Sequence, residues 1–220
     1  MKQLLEKILP QSVVDSYKKY RNKHAAAGNR KKWELAGKPL PPPHTVKQEA
    51  IRYYQKKSGY QVLVETGTYK GDMVLAQKEH FKQIYSIELS QFLFEKAKRR
   101  FQGQAGITLL QGNSGEVIAN VLAELKEPAI FWLDGHYSGG ITASIEKFSP
   151  ISEELELIIS NNRLRHIILV DDARGFNGEN GYPAMDEVRE MTAKRLPGYE
   201  FSVDEDIIRL VPGTFLSSAF

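Results

Sequence analysis

No cysteine occurs among the 220 residues, which excludes a disulfide framework, a thiolate metal site and a cysteine nucleophile. That absence suits a reducing interior, and the cytoplasm is the expected compartment. Long apolar runs are missing as well. The longest, at Ala129 to Leu133 and Ile167 to Val170, are strand-sized, far below the roughly 18 to 20 residues that a membrane-spanning helix needs. The N-terminus, MKQLLEKILPQSVVDSYKKY, threads charges through its apolar positions and offers no small-residue cleavage site, so it does not read as a secretory signal. Internal repeats, low-complexity tracts and the P-loop, H-E-x-x-H and G-x-S-x-G signatures are all lacking. What is present, 41% hydrophobic and 26% charged residues, fits one globular domain with a full core and a short extension.

Charge is unevenly placed. Residues 1–60 hold 14 Lys/Arg against 4 Asp/Glu, whereas residues 61–220 hold 16 against 23, so a +10 front precedes a −7 body within a net charge of +3. The front, residues 1–59, opens with apolar positions Leu4, Leu5, Ile8, then Val13, Val14, Tyr17 and Tyr20, interrupted by Pro10. This spacing predicts two short amphipathic helices. Residues 25–44, with two glycines and four prolines, read as an irregular linker or extended arm. Thr45 then caps a helix that ends near Gly59. A basic, aromatic-containing arm is chemically able to meet nucleic acid, an anionic membrane surface or an anionic substrate. No nucleic-acid-binding signature accompanies the charge, so nucleic acid is not the expected partner and a solvated helical face, or a lid, is the reading adopted.

From residue 60 the pattern alternates. Strands are expected at Gln61 to Glu65, Gln83 to Leu89, Ile107 to Leu110, Ala129 to Asp134 and His166 to Asp171, with helices near 71–80, 90–102, 114–126, 149–162 and 183–195. Continuously apolar strands such as AIFWL and IILV are expected to be buried on both faces, which predicts a Rossmann-like, doubly wound α/β domain with a mostly parallel sheet over residues 60–220. The end departs from this rhythm. Tyr199 to Val203 and Ile207 to Val211 flank an acidic turn too short for a helix, so they form an antiparallel hairpin.

Ligands of open α/β sheets sit at the carboxyl ends of the strands, and here those ends are polar. After the first strand comes Glu65-Thr-Gly67-Thr68-Tyr-Lys-Gly71-Asp72, a tight turn before a helix. The G-x-G-x-x-G of dinucleotide enzymes is absent, and the acid before the loop disfavours a pyrophosphate while favouring a ligand with an ammonium or hydroxyls. Glu88 closes the second strand, where a carboxylate accepts both hydroxyls of a ribose or, alternatively, serves the next helix N-terminus. Asn113 and Ser114 follow the third strand and either hold an adenine edge or cap the helix.

E-x-G-x-x-x-G, an acid closing the second strand, G-N-S after the third and a terminal hairpin together resemble the class I S-adenosylmethionine-dependent methyltransferases, over about residues 60–212. The resemblance implies S-adenosylmethionine as cofactor, with Glu65, Gly67, Thr68 and Gly71 at the methionine part, Glu88 at the ribose and Asn113 and Ser114 beside the adenine.

Strand four closes with Asp134-Gly-His136 and strand five with Asp171-Asp172. Three carboxylates at neighbouring strand ends repel one another unless a cation, a proton or a substrate amine lies between them, and hard oxygen ligands suit Mg²⁺, Ca²⁺ or Mn²⁺. The pattern is similar to the metal-assisted small-molecule O-methyltransferases, of the macrocin and caffeoyl-CoA type, whose metal acids correspond to Asp134, Asp171 and Asp172. Gly-His after Asp134 departs from many relatives and leaves the general base open between Asp134 and His136. The Gly-rich loops after strands four and five are expected to close over an acceptor, and Arg174 is a candidate to meet an anionic group on it. The resulting expectation is methyl transfer to a sugar or phenolic hydroxyl of a small molecule, with Mg²⁺ assistance an open element and Asp134 also lining the donor site. A metal-independent N- or O-methyltransferase and a noncatalytic nucleotide-binding module are the alternatives, and a homo-oligomer is left open.

Overall fold

In the computed structural model, residues 28–134 and 149–215 are described. The order along the chain is α1 (His44–Ser58), β1 (Val62–Thr66), α2 (Asp72–Gln77), β2 (Gln83–Glu88), α3 (Gln91–Arg100), β3 (Ile107–Gln111), α4 (Ser114–Glu124), β4 (Ala129–Leu133), α5 (Ile151–Ser160), β5 (Ile167–Val170), α6 (Met185–Arg195), β6 (Tyr199–Asp204) and β7 (Ile207–Pro212). The seven strands form one sheet in the order β3-β2-β1-β4-β5-β7-β6. All neighbours from β3 to β5 are parallel, and β7 is antiparallel to both β5 and β6. This is the Rossmann-like sheet with a terminal hairpin that the apolar runs announce.

Strand periodicity explains the two-sided core. Side chains alternate between sheet faces, so in β4 Ala129, Phe131 and Leu133 join one cluster while Ile130 and Trp132 join the other. The first cluster is covered by Ile118 and Val121 of α4, Ile151, Leu155 and Ile158 of α5 and Val188 of α6. The second is covered by Ala50, Ile51 and Tyr54 of α1, Met73 and Val74 of α2 and Ala97 of α3. Both faces being buried is what allows β1, β4 and β5 to be apolar nearly throughout.

The compact unit that carries the sheet begins at Gln48, inside α1. Ahead of it, two expectations are corrected. Residues 28–35 are helical rather than irregular. Trp33 there is buried, donates its indole N–H to the Pro39 carbonyl at 2.7 Å and lies under the Lys38 ammonium, anchoring that Pro/Gly stretch. Helix α1 starts at His44, so Thr45 is already helical and is not its cap. The two helices expected before residue 28 lie outside the described residues.

His166, just before β5, is a structural group. It is buried, its Nδ1 accepts the Ala129 N–H at 3.0 Å, and its ring packs edge-on against Phe131. Desolvation holds its pKa down at about 4, from an ordinary 6.5. The unfolded chain therefore takes up a proton between pH 6.5 and 4 that the folded protein refuses, and stability falls as pH falls through that window. Relative to His166→Gln, the wild type is expected to lose about 3 kcal/mol between pH 7 and pH 4 in urea denaturation. A pH-independent difference between the two contradicts this.

Candidate active site

The strand order reverses direction of travel between β1 and β4, the topological switch point at which α/β sheets open a crevice. Thr66 ends β1 in register with Leu133 of β4. Its hydroxyl accepts the Asp134 N–H at 3.2 Å and donates to Glu154 at 3.4 Å, tying the first residue beyond β4 to the end of β1.

Glu65 is 2% exposed and accepts the Ser86 hydroxyl at 2.6 Å, and Ser86 in turn meets the Thr68 hydroxyl at 2.6 Å. Burial pushes the Glu65 carboxyl up to about 8. The Ser86 bond pulls it down, and the charges of Asp134 and Glu88 push it further up. The following loop turns sharply. The Gly67 and Thr68 amides both donate to the Ile87 carbonyl, and Gly71 accepts no side chain readily: its φ is +75°, and a Cβ there meets the Phe101 ring at 2.6 Å. Glu88, also buried, accepts the Tyr69 N–H at 2.7 Å and the Ser90 N–H at 2.9 Å. It thereby fixes the β1 loop against the start of α3, whose own cap is the Ser90 hydroxyl. Each carboxylate oxygen has a second lone pair to offer.

Asn113 caps α4 by accepting the Gly115 N–H at 3.1 Å. Ser114 is buried in the first turn and bonds to Glu154. Capping, one of the two readings of this pair, is thus a task that Asn113 performs in the structure.

Asp134, Asp171 and Asp172 converge: one carboxylate oxygen from each lies within 4.8 Å of the others, and the last two residues are buried. Such a set of hard oxygen donors fits a divalent cation. The Asp171 backbone N–H pairs with the Leu133 carbonyl, which places β5's end beside β4's, and Asp171 Oδ1 accepts the Asp172 N–H at 2.9 Å. Arg174, expected to face an acceptor, instead pairs with Asp172 at 2.9 Å and with Asp206 of the β6–β7 turn. His136 lies outside the described residues, as does the rest of the loop following Asp134.

Three residues of this region escape the sequence reading. Glu154 of α5 is fully buried; burial raises its carboxyl to about 7, against the pull of the Ser114 and Thr66 hydroxyls. Its signal was there: Ile151, Glu154, Leu155, Ile158 and Ile159 keep helical spacing, so an acid occupies an apolar-stripe position. Tyr182 lines a small cleft with Asp134, Ser149 and Asp171, its ring packed edge-on against Phe176. Burial raises its phenol above the ordinary value, eased by a Ser149 hydrogen bond. Asp206 is the third; neither it nor Tyr182 is flagged by any spacing.

No family model matches the chain, and no curated protein matches it. Solved structures do. A methyltransferase of Podospora anserina, PaMTH1, bound to S-adenosylhomocysteine (SAH), is 16% identical with TM-score 0.53, over 93% of this chain and 97% of that one. The O-methyltransferase TomG of Streptomyces achromogenes, involved in tomaymycin synthesis and bound to S-adenosylmethionine (SAM), is 15% identical with TM-score 0.56, over 84% and 87%. An O-methyltransferase of Bacillus cereus in complex with SAH is 13% identical with TM-score 0.54, over 95% and 96%. The chain has the fold of the SAM-dependent methyltransferases. Among the described residues no helix is long and apolar enough to cross a membrane.

Glu65 carries a checkable consequence. Between pH 4.5 and 8 the folded protein keeps a proton that the unfolded chain gives up, so this residue lowers stability as pH rises through that window. Glu65→Gln, which cannot ionise, is expected to gain several kcal/mol on the wild type between pH 5 and pH 8 in denaturant titrations. A constant difference contradicts the assignment.

Proposed function

We propose that the protein is a SAM-dependent methyltransferase acting on a small-molecule hydroxyl, a sugar or phenol, with a divalent cation assisting. One observation carries the reading. Glu65, Glu88, Asp134 and Asp171 stand at the carboxyl ends of adjacent strands around a glycine turn, in a fold whose similar structures hold SAM or SAH. An acidic rim suits a sulfonium donor with a free ammonium.

In this reading the Gly67 to Gly71 turn holds the methionine part, Glu65 receives its ammonium and Glu88 accepts the ribose hydroxyls. Asn113 and Ser114 border the adenine. The acceptor presents its hydroxyl to the small cleft shared by Asp134, Asp171, Ser149 and Tyr182. Its oxygen attacks the methyl carbon in line as the carbon–sulfur bond breaks, SAH leaves with both bonding electrons, and the acceptor proton passes to Asp134 or His136. Asp134, Asp171 and Asp172 are the residues that would hold the cation. A bound divalent ion supplies acidification and orientation of the acceptor hydroxyl. The compact unit from Gln48 onward, which takes in part of the expected 1–59 extension, is assigned as the catalytic domain of a cytoplasmic enzyme, with the basic residues ahead of it as the extension.

The Arg174–Asp172 pair favours a second reading, in which the acids hold the acceptor without a metal and N- or O-methylation proceeds by positioning alone.

The test is transfer of radiolabelled methyl from SAM to a panel of phenols and sugars, with Mg²⁺ or EDTA. Turnover that EDTA stops and Mg²⁺ restores supports the first reading; turnover indifferent to both supports the second. Glu88→Ala is expected to weaken SAH binding at least tenfold, while Asp134→Asn abolishes transfer yet keeps SAH affinity within about threefold. Equal loss of SAH binding in both variants contradicts their separate roles.

A further inference from the structure

The acidic triad already has a cation beside it, and the fold goes to some length to keep it there. Asp172 adopts a left-handed backbone, φ +56°, immediately after β5, which turns the chain so that Arg174 folds back on it. The guanidinium Nη1 reaches Asp172 Oδ1 at 2.9 Å and also bonds Asp206 Oδ2. Asp206 is held for this purpose. Its carboxylate is 1% exposed, its Oδ1 accepts the Arg174 N–H at 2.9 Å, and its main-chain carbonyl accepts the Ala173 N–H at 2.9 Å. Glu205 and Asp206 are both left-handed, at φ +54° and +63°, a conformation that suits a two-residue hairpin turn. The terminal hairpin therefore grips the loop after β5 through one buried carboxylate and delivers a guanidinium to the third acid of the triad.

A guanidinium stays charged at any ordinary pH, so this cation is permanent. A divalent ion brought to the same carboxylates meets its repulsion at close range: the buried Asp172 and Asp206 carboxylates hold the guanidinium in place, although its own side chain stays 41% exposed and is in part screened by solvent. We propose that Arg174 is the resident counter-ion of the Asp134, Asp171 and Asp172 triad, anchored by Asp206, and that it limits divalent-cation occupancy by holding Asp172. This deepens the metal-assisted reading above and rests on it. Arg174 is a positioning residue: it acts on the reaction only through Asp172.

Mn²⁺ alone is the probe, followed by electron paramagnetic resonance on the full chain with no donor present. Arg174→Gln is expected to bind Mn²⁺ about tenfold tighter than the wild type. Arg174→Lys, which keeps the charge, stays within about threefold of the wild type, and the gain vanishes in the double variant Arg174→Gln, Asp172→Asn. If Arg174→Gln does not fold, Arg174→Met, which retains the apolar stem, carries the same expectation. Equal Mn²⁺ affinity in wild type and the charge-removing variant overturns the inference, as does absence of Mn²⁺ binding in both. SAH titration of the same samples separates the two failures. Intact SAH binding with a flat Mn²⁺ response sinks the counter-ion role and leaves the donor site standing. Absent SAH binding sinks the donor reading whatever Mn²⁺ does.

Discussion

Carboxylates crowded at one edge of a parallel sheet are the constraint on which this structure turns. Glu65, Glu88, Asp171 and Asp172 are buried, Glu154 is fully so, and Asp134 stands among them. Removing a charged carboxylate from water is costly unless the charge is neutralised or bonded. Three remedies recur among them. Glu65 and Glu154 keep their protons to about pH 8 and 7 and lean on hydroxyls. Glu88 takes two backbone N–H groups. Asp172 takes a guanidinium. These remedies are also the joints of the fold, linking the β1 loop to β2, β1 to β4 and α5, and β5 to the hairpin.

The proposed function rests on the same crowding. A site that holds acids partly protonated and partly paired is poised to change state when a cation arrives, because opposite charge favours the ionised form. A sulfonium donor with an ammonium, and a divalent ion, are both cations. In the proposed function the edge meets charge of one sign at two places: beside Glu65 and Glu88 for the donor, and beside Asp134, Asp171 and Asp172 for the acceptor chemistry. The counter-ion role we propose for Arg174 bears on the second.

Much of the scaffold was legible in the sequence because burial on both faces leaves an unambiguous trace. AIFWL and IILV have no amphipathic alternation, and each proved to be a central strand within a residue of its expected limits. The hairpin was legible because Asp204, Glu205 and Asp206 leave no room for a helix. Candidate acids were legible because each stands at or just beyond the carboxyl end of a strand. Beyond that, local pattern failed where long-range contacts decide. Residues 28–35 look like linker yet are helical, with Trp33 buried and bonded to Pro39. Asp206 reads as a solvated turn residue, yet it is locked onto Arg174 from 32 positions away. Arg174 looks like a substrate contact from sequence alone because nothing local reveals the hairpin's carboxylate. Glu154 was readable in principle, as an acid on an apolar stripe.

The central claim is that the acidic edge receives a cationic donor, and calorimetric titration of SAH at pH 7 in two buffers of differing ionisation enthalpy tests it most directly. SAH keeps the ammonium, and in the proposed reading it lies beside Glu65, where it would expel the proton that burial retains. The account predicts micromolar binding with net proton release, seen as a heat that differs between buffers, and loss of that difference in Glu65→Gln. No SAH binding in either buffer, or binding with no proton exchange, contradicts it.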